Sequence, residues 1–200
     1  MRARLLASVL LLAAGPMRAD DEADLAPLRI EGIDVRQSIA YYPLRAHTPQ
    51  GLFAEMERTA PSTDAGGRPG FGHAQADLRW RYDLAMQDDA TCVPEEVEVT
   101  LEVTLTLPRW TPGRSPSKGL RARWQAYRDA LVAHERHHRD LAIEAVRELR
   151  DALRTLPPTP CAAAPLRIEA TTTRIVERMR RRNATFDAAS DHGRRHWHLP

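Results

Sequence analysis

Cysteine is scarce in this 200-residue chain, which holds only Cys92 and Cys161. Neither has a second Cys or His at the short spacing of a structural zinc knuckle. A single pair allows one connectivity, and in an exported chain that pair reads as a disulfide. The bridge would close a loop of about 70 residues, worth roughly 4 kcal/mol in the chain-entropy picture. An excess of one charge is also missing, since the formal net charge is +2. A nucleic-acid reader shows a lopsided balance or a concentrated basic face, so nucleic acid is not an expected partner. The one local excess, Arg178, Arg180, Arg181 and Arg182, reads as the solvated face of a helix. No glycine-rich phosphate loop, nucleotide fingerprint or Ser-His-Asp order is present, and with both cysteines paired no thiol nucleophile remains.

Long hydrophobic runs are missing too. The longest apolar stretch, Leu5 to Ala14, is too short to span a bilayer comfortably. Behind Arg2 and Arg4 it has the length of a signal-peptide hydrophobic region. Cleavage after Ala19 would leave Asp20 as the mature terminus, with Met17 a poor residue at a position that prefers small side chains. A site nearer Gly15 and an uncleaved anchor are the alternatives. The expected division is residues 1–19 as signal peptide and 20–200 as a single domain, periplasmic or secreted, with no stable membrane span after cleavage.

The patterns that are present describe an α+β domain. Arg29 to Val35 and Ile39 to Leu44 are short strand candidates. Thr48 offers an N-cap to a short helix carrying Leu52, Phe53 and Met56. Period-two alternation through Ala76, Leu78, Trp80, Tyr82, Leu84 and Met86, and again from Val97 to Leu107, predicts a sheet with one buried face. After Pro116 the spacing of Leu120, Trp124, Tyr127 and Leu131, resumed at Leu141, Ala145, Leu149, Ala152 and Leu156, predicts one long helix. A second helix is expected over roughly residues 166–183. The expected architecture is an antiparallel sheet packed by these two helices.

The stripe of the long helix has a gap between Leu131 and Leu141, and histidine fills it. Continuing the spacing gives positions 134 and 138, so His134 and His138 share the buried face one turn apart. Glu135 lies about 100° around the helix from His134. Two imidazoles supply two positions of a zinc site, a third protein ligand leaves one open, and the glutamate serves as general base. The run His134-Glu135-Arg136-His137-His138 has the H-E-x-x-H form of zinc metalloproteases. Two histidines without partners on a buried stripe would be costly, which weighs against a merely solvated pair. His137 points off the stripe.

The third ligand stays open on the residues alone. The longer metzincin pattern is missing, because Leu141 and Glu144 stand where its Gly and third His would be. A glutamate from the second helix, Glu169 or the better placed Glu177, is one candidate, and His192 in the tail is another. His47 and His73 read as loop residues, and His196 and His198 as part of a frayed tail.

Several features together resemble a bacterial family of predicted secreted zinc-dependent proteases, first catalogued as a domain of unknown function. They are Tyr41-Tyr42-Pro43, Trp80, Cys92, Leu107-Pro108-Arg109-Trp110, Trp124, Tyr127, His134-Glu135, Cys161 and an aromatic-Asp-x-x-Thr-x-His-Gly pattern. Here that pattern has Phe186 for the usual Tyr and Ser190 for the usual Thr, while His192 and Gly193 match. The resemblance implies His192 as third zinc ligand, with Asp187 orienting a ligand or the tail from behind. The expected function is zinc-dependent hydrolysis of a peptide or protein substrate, cell-envelope material included. A zinc-dependent cell-wall amidase is the nearest rival. A non-catalytic exported binding or scaffold module with a structural metal is the rival of a different class.

Overall fold

The computed structural model describes residues 30–63 and 67–193. Its spine is β5, Thr91–Trp110, where Val99, Leu101, Val103, Leu105 and Leu107 are buried between outward Thr and Glu residues. That alternation gives the strand one dry face, as period two requires. β4, His73–Met86, runs antiparallel along one edge of β5, from His73 opposite Thr106 to Met86 opposite Cys92. A register shift between Arg81 and Asp83 interrupts the ladder. β1, Ile33–Leu44, lies along the other edge, with Ile33 opposite Val99 and Leu44 opposite Trp110.

The α+β class holds, but the sheet is mixed, because β1 runs parallel to β5. Alternation encodes which face is buried and says nothing about strand direction. Direction follows from the connection: after β1 the chain crosses over, builds β4 on the far side, and returns by a hairpin into the centre. A parallel pair needs such a crossover. The two short strands expected at Arg29–Val35 and Ile39–Leu44 form one continuous β1 over Ile33–Leu44.

Three helices complete the described residues. α1, Pro49–Thr59, is capped by Thr48, whose Oγ1 accepts from the Gly51 N–H at 3.1 Å. A small hairpin of β2, Ser62–Thr63, and β3, Pro69–Gly70, follows it. α2, Lys118–Arg154, starts at Ser117, whose Oγ accepts from the Leu120 N–H at 3.2 Å. β6, Thr159–Pro160, adds to the start of β5. α3, Ala164–Ser190, continues well past the expected end at Asn183.

The core has two parts. Val99 to Leu105 pack against Val146, Leu149 and Leu153 of α2 and Ile168 and Ile175 of α3. Leu44, Leu52, Met56, Phe71 and Leu107 pack against Leu120, Trp124, Tyr127 and Leu131. On α2 the first part begins at Ala142 and the second ends at Val132. The histidine run lies between them. Cys92 and Cys161 form the expected disulfide. The arginine run is on the exposed helix face expected of it, and the structure adds pairing: Arg178 reaches Glu148, Arg182 reaches Glu144 at 2.6 Å, and Arg181 faces Glu177. No helix among the described residues is long and apolar enough to cross a membrane.

Candidate metal centre

The gap in the hydrophobic stripe is where α2 meets α3, and both elements aim polar groups into it. His134 and Glu135 are 8% and 4% exposed, and His138 is nearly as buried. His137 is exposed and stacks on Phe186, ring centroids 3.8 Å apart, and the same Phe186 ring packs against His134 and His138. It therefore buttresses α3 from outside the site.

Because α3 does not stop at Asn183, one further turn carries Asp187 over α2. Its Oδ1 lies 3.1 Å from His134 Nε2 and 3.0 Å from His138 Nε2, and the two Nε2 atoms are 3.1 Å apart. Three donors at the corners of a near-equilateral triangle fit a single small cation. Tetrahedral ligands of zinc at about 2.0–2.1 Å would stand about 3.3 Å from one another. His134, His138 and Asp187 are the group of described residues that could hold a metal ion.

Asn183 sets the tautomer that this requires. Its Nδ2 donates to the Met179 carbonyl at 3.1 Å, which turns Oδ1 towards His138. His138 Nδ1–H then donates to that oxygen at 2.6 Å, leaving the Nε2 lone pair facing the triangle. This is the outer support that metal-binding histidines usually have. Burial alone would lower the His138 pKa. Hydrogen bonds to Asp187 and Asn183, with the charges of Asp187 and Glu135, outweigh burial and raise it. Burial would raise Asp187, yet hydrogen bonds from both imidazoles pull it far below the usual carboxylate range. The arrangement favours positive charge between these groups.

Glu135 is held beside the triangle rather than in it. Burial lifts its pKa to about 7, against the lowering pull of His138 and of the Ala74 N–H that donates to it, with Asp187 adding to the rise. Gly72 covers the carboxylate so closely that a Cβ there would lie 2.8 Å from Glu135 Cγ and Cδ. No larger residue fits without moving the glutamate.

A pocket of about 450 Å³ opens on these groups, walled by Ser62, Thr63 and the Arg68–Ala74 stretch on one hand and α2 with α3 on the other. His192, the third ligand implied by the resemblance, lines this pocket but stands back from the triangle, its Nδ1 3.9 Å from Asp187 Oδ1. The structure puts Asp187 at the third corner instead of behind it. The alternative ligand Glu177 is not brought to the site: it lies on the exposed face of α3 and pairs with Arg181. Glu169 is exposed as well. Asp191, His192 and Gly193 all have positive φ, a left-handed turn that ends α3 and lays Gly193 on the His134 ring. Non-glycine residues held there mark a turn that its surroundings over-determine.

His73, expected in a loop, opens β4 and lines the pocket. His47 lies in an exposed bend. His196, His198 and the signal segment fall outside the described residues. Asn183 and Gly72 carried no motif in the sequence. Asn183 precedes Asp187 by four, so a longer α3 would have put both on one face.

The chain matches the family described as "Bacterial protein of unknown function (DUF922)" over residues 39–193, and it belongs to that family. No curated protein and no solved structure matches it.

Proposed function

We propose that this member of the family is an exported zinc-dependent hydrolase of amide bonds, a metallopeptidase. The observation that carries the reading is a buried carboxylate, Glu135, set beside two histidines and an aspartate whose donor atoms stand 3.0–3.1 Å apart. The donor set fits zinc: two neutral imidazole nitrogens and one carboxylate oxygen, with the open pocket on the remaining side. Zinc held there would bring the pKa of a water down towards about 7 and polarise a carbonyl.

The chain's own residues supply the rest. In amide hydrolysis a water oxygen bonds to the carbonyl carbon, the C–N bond breaks, and the amine leaves with a proton. Glu135 takes that proton from the water and returns it to the nitrogen. Asn183 holds His138 in the tautomer that presents Nε2. Gly72 and the Ala74 N–H keep the carboxylate aimed at the pocket. A purely structural metal site would have no use for an acid–base residue beside an open pocket. The Cys92–Cys161 bridge is compatible with an oxidising, exported destination.

The test is zinc content and turnover on a broad peptide library, with the disulfide oxidised, for wild type and Glu135→Gln. The expected result is one zinc per chain in both proteins and a fall in turnover of about 10²-fold or more in the variant. Wild type without zinc, or a Glu135→Gln protein as active as wild type, refutes the reading.

A further inference from the structure

Tyr42, in the Tyr41-Tyr42-Pro43 stretch of β1, contributes nothing to the ligand triangle, yet it reaches the site by another route. Its Oη donates to the carbonyl oxygen of Phe71 at 2.6 Å. The Phe71 side chain is buried in the second core cluster and stands edge-on to Phe53, centroids 5.9 Å apart. The next residue is Gly72, which covers the Glu135 carboxyl with no space for a Cβ. Two residues further on, the Ala74 N–H donates to the same carboxylate. The backbone from Phe71 to Ala74 is thus one wall of the slot that holds Glu135. The wall is fastened at one end by the β4–β5 ladder, where Ala74 faces Leu105, and at the other by the Gly70–Ser62 pairing of β3 with β2, the Phe71 ring and the Tyr42 hydroxyl.

We propose that Tyr42 is a positioning residue for Glu135, acting through the Phe71–Gly72 backbone to hold the carboxylate where it transfers protons. The consequence for turnover rests on the hydrolase reading; the contact itself does not. A buried glutamate has three side-chain torsions to lose. The residue's own helix fixes its Cα and sets His138 beside it. The wall supplies the rest, with a donor at Ala74 and a steric stop at Gly72. Without the Tyr42 hydroxyl, the Phe71 carbonyl gives up one hydrogen bond in a largely buried place, and the wall loses one of its fastenings. A displacement of about 1 Å at an acid–base group can lower a rate about 10²-fold.

Tyr42→Phe keeps the ring and removes only the hydroxyl. Hydrogen exchange at the Ala74 amide, read by NMR, should then quicken about tenfold or more while Leu101 in β5 keeps its wild-type rate. An unchanged Ala74 rate, or a uniform rise across the sheet, overturns the proposal. Both outcomes can be read whether or not the chain hydrolyses anything, so they are separable from failure of the hydrolase reading. In a protein with turnover, kcat should fall about 10- to 100-fold with KM and zinc content unchanged. Gly72→Ala, which pushes the carboxylate from within the wall itself, should repeat that split with Tyr42 intact. Loss of zinc or a rise in KM in step with kcat, in both variants, would assign Tyr42 a general structural role instead.

Discussion

At the scale of single residues, the shared oxygen of Asp187 governs the site, since both imidazoles meet it within 3.1 Å. Removing a corner of the triangle should therefore matter more than removing a neighbour. In competition with a chelator, Asp187→Ala and His138→Ala should weaken zinc binding most. Asn183→Ala should weaken it about 10- to 100-fold, by freeing the His138 tautomer. His192→Ala should have the smallest effect. A larger loss in His192→Ala than in Asp187→Ala would return the third corner to the histidine. The pH dependence follows from the same atoms. His138 is raised above its ordinary 6.5, so its stabilisation of the metal-free protein is complete below 6.5 and is lost as pH climbs through the raised value. Asp187 is depressed below its ordinary 3.8, so its stabilisation is present above 3.8 and fades as pH falls towards the lowered value. The metal-free melting temperature should thus gain most from the pair between 3.8 and 6.5. Zinc competes with the proton on His138, so its affinity should rise as pH climbs through that raised value. A zinc affinity independent of pH over this range would exclude His138 as a ligand.

At the scale of elements, the site depends on how α3 lies on α2, and apolar contacts decide that. Leu149 and Ile168 are almost wholly buried between the helices and the sheet. The Glu144–Arg182 pair is half exposed, and such pairs contribute only about 0.2–1 kcal/mol. Leu149→Ala should therefore lower unfolding stability by about 2–5 kcal/mol, whereas Arg182→Ala should stay under about 1 kcal/mol. Denaturant melts of both variants check the ordering. Equal losses would mean that the ion pairs, not the apolar seam, hold α3 in register with α2. The length of α3 matters for the same reason. Had the helix ended at Asn183, the carboxylate of Asp187 would have been on a free tail, with no face fixed towards His134.

At the scale of the whole molecule, the disulfide and the candidate metal site stand at opposite ends of β5. Cys92 lies near its start, and Leu105, opposite the Ala74 that touches Glu135, near its end. The bridge joins residues 69 apart in sequence. Closing a loop of that length should contribute roughly 4 kcal/mol through the unfolded chain. Reduction should lower the denaturation midpoint accordingly and leave zinc stoichiometry at the native state unchanged. A reduced protein that lost its zinc while still folded would show that the two ends are coupled.

Much of this was legible without a structure, wherever the information is local. Alternation in β4 and β5, the Thr48 and Ser117 caps, and histidine at two positions of an apolar stripe each report a periodicity or a neighbour within one turn. Those signals were enough to place His134, Glu135 and His138 together on one helix, while the cysteines could be paired because the chain holds only two. Three features needed the tertiary structure. The direction of β1 is set by a crossover that alternation does not encode. Asp187 reaches the triangle only because packing against α2 carries α3 past Asn183. Gly72 and Tyr42 touch the site through contacts between segments far apart in the chain, and a pattern along one segment says which face is buried without naming what buries it. The helix at the centre of the site was thus determined by the sequence itself, and the company it keeps was decided by the fold.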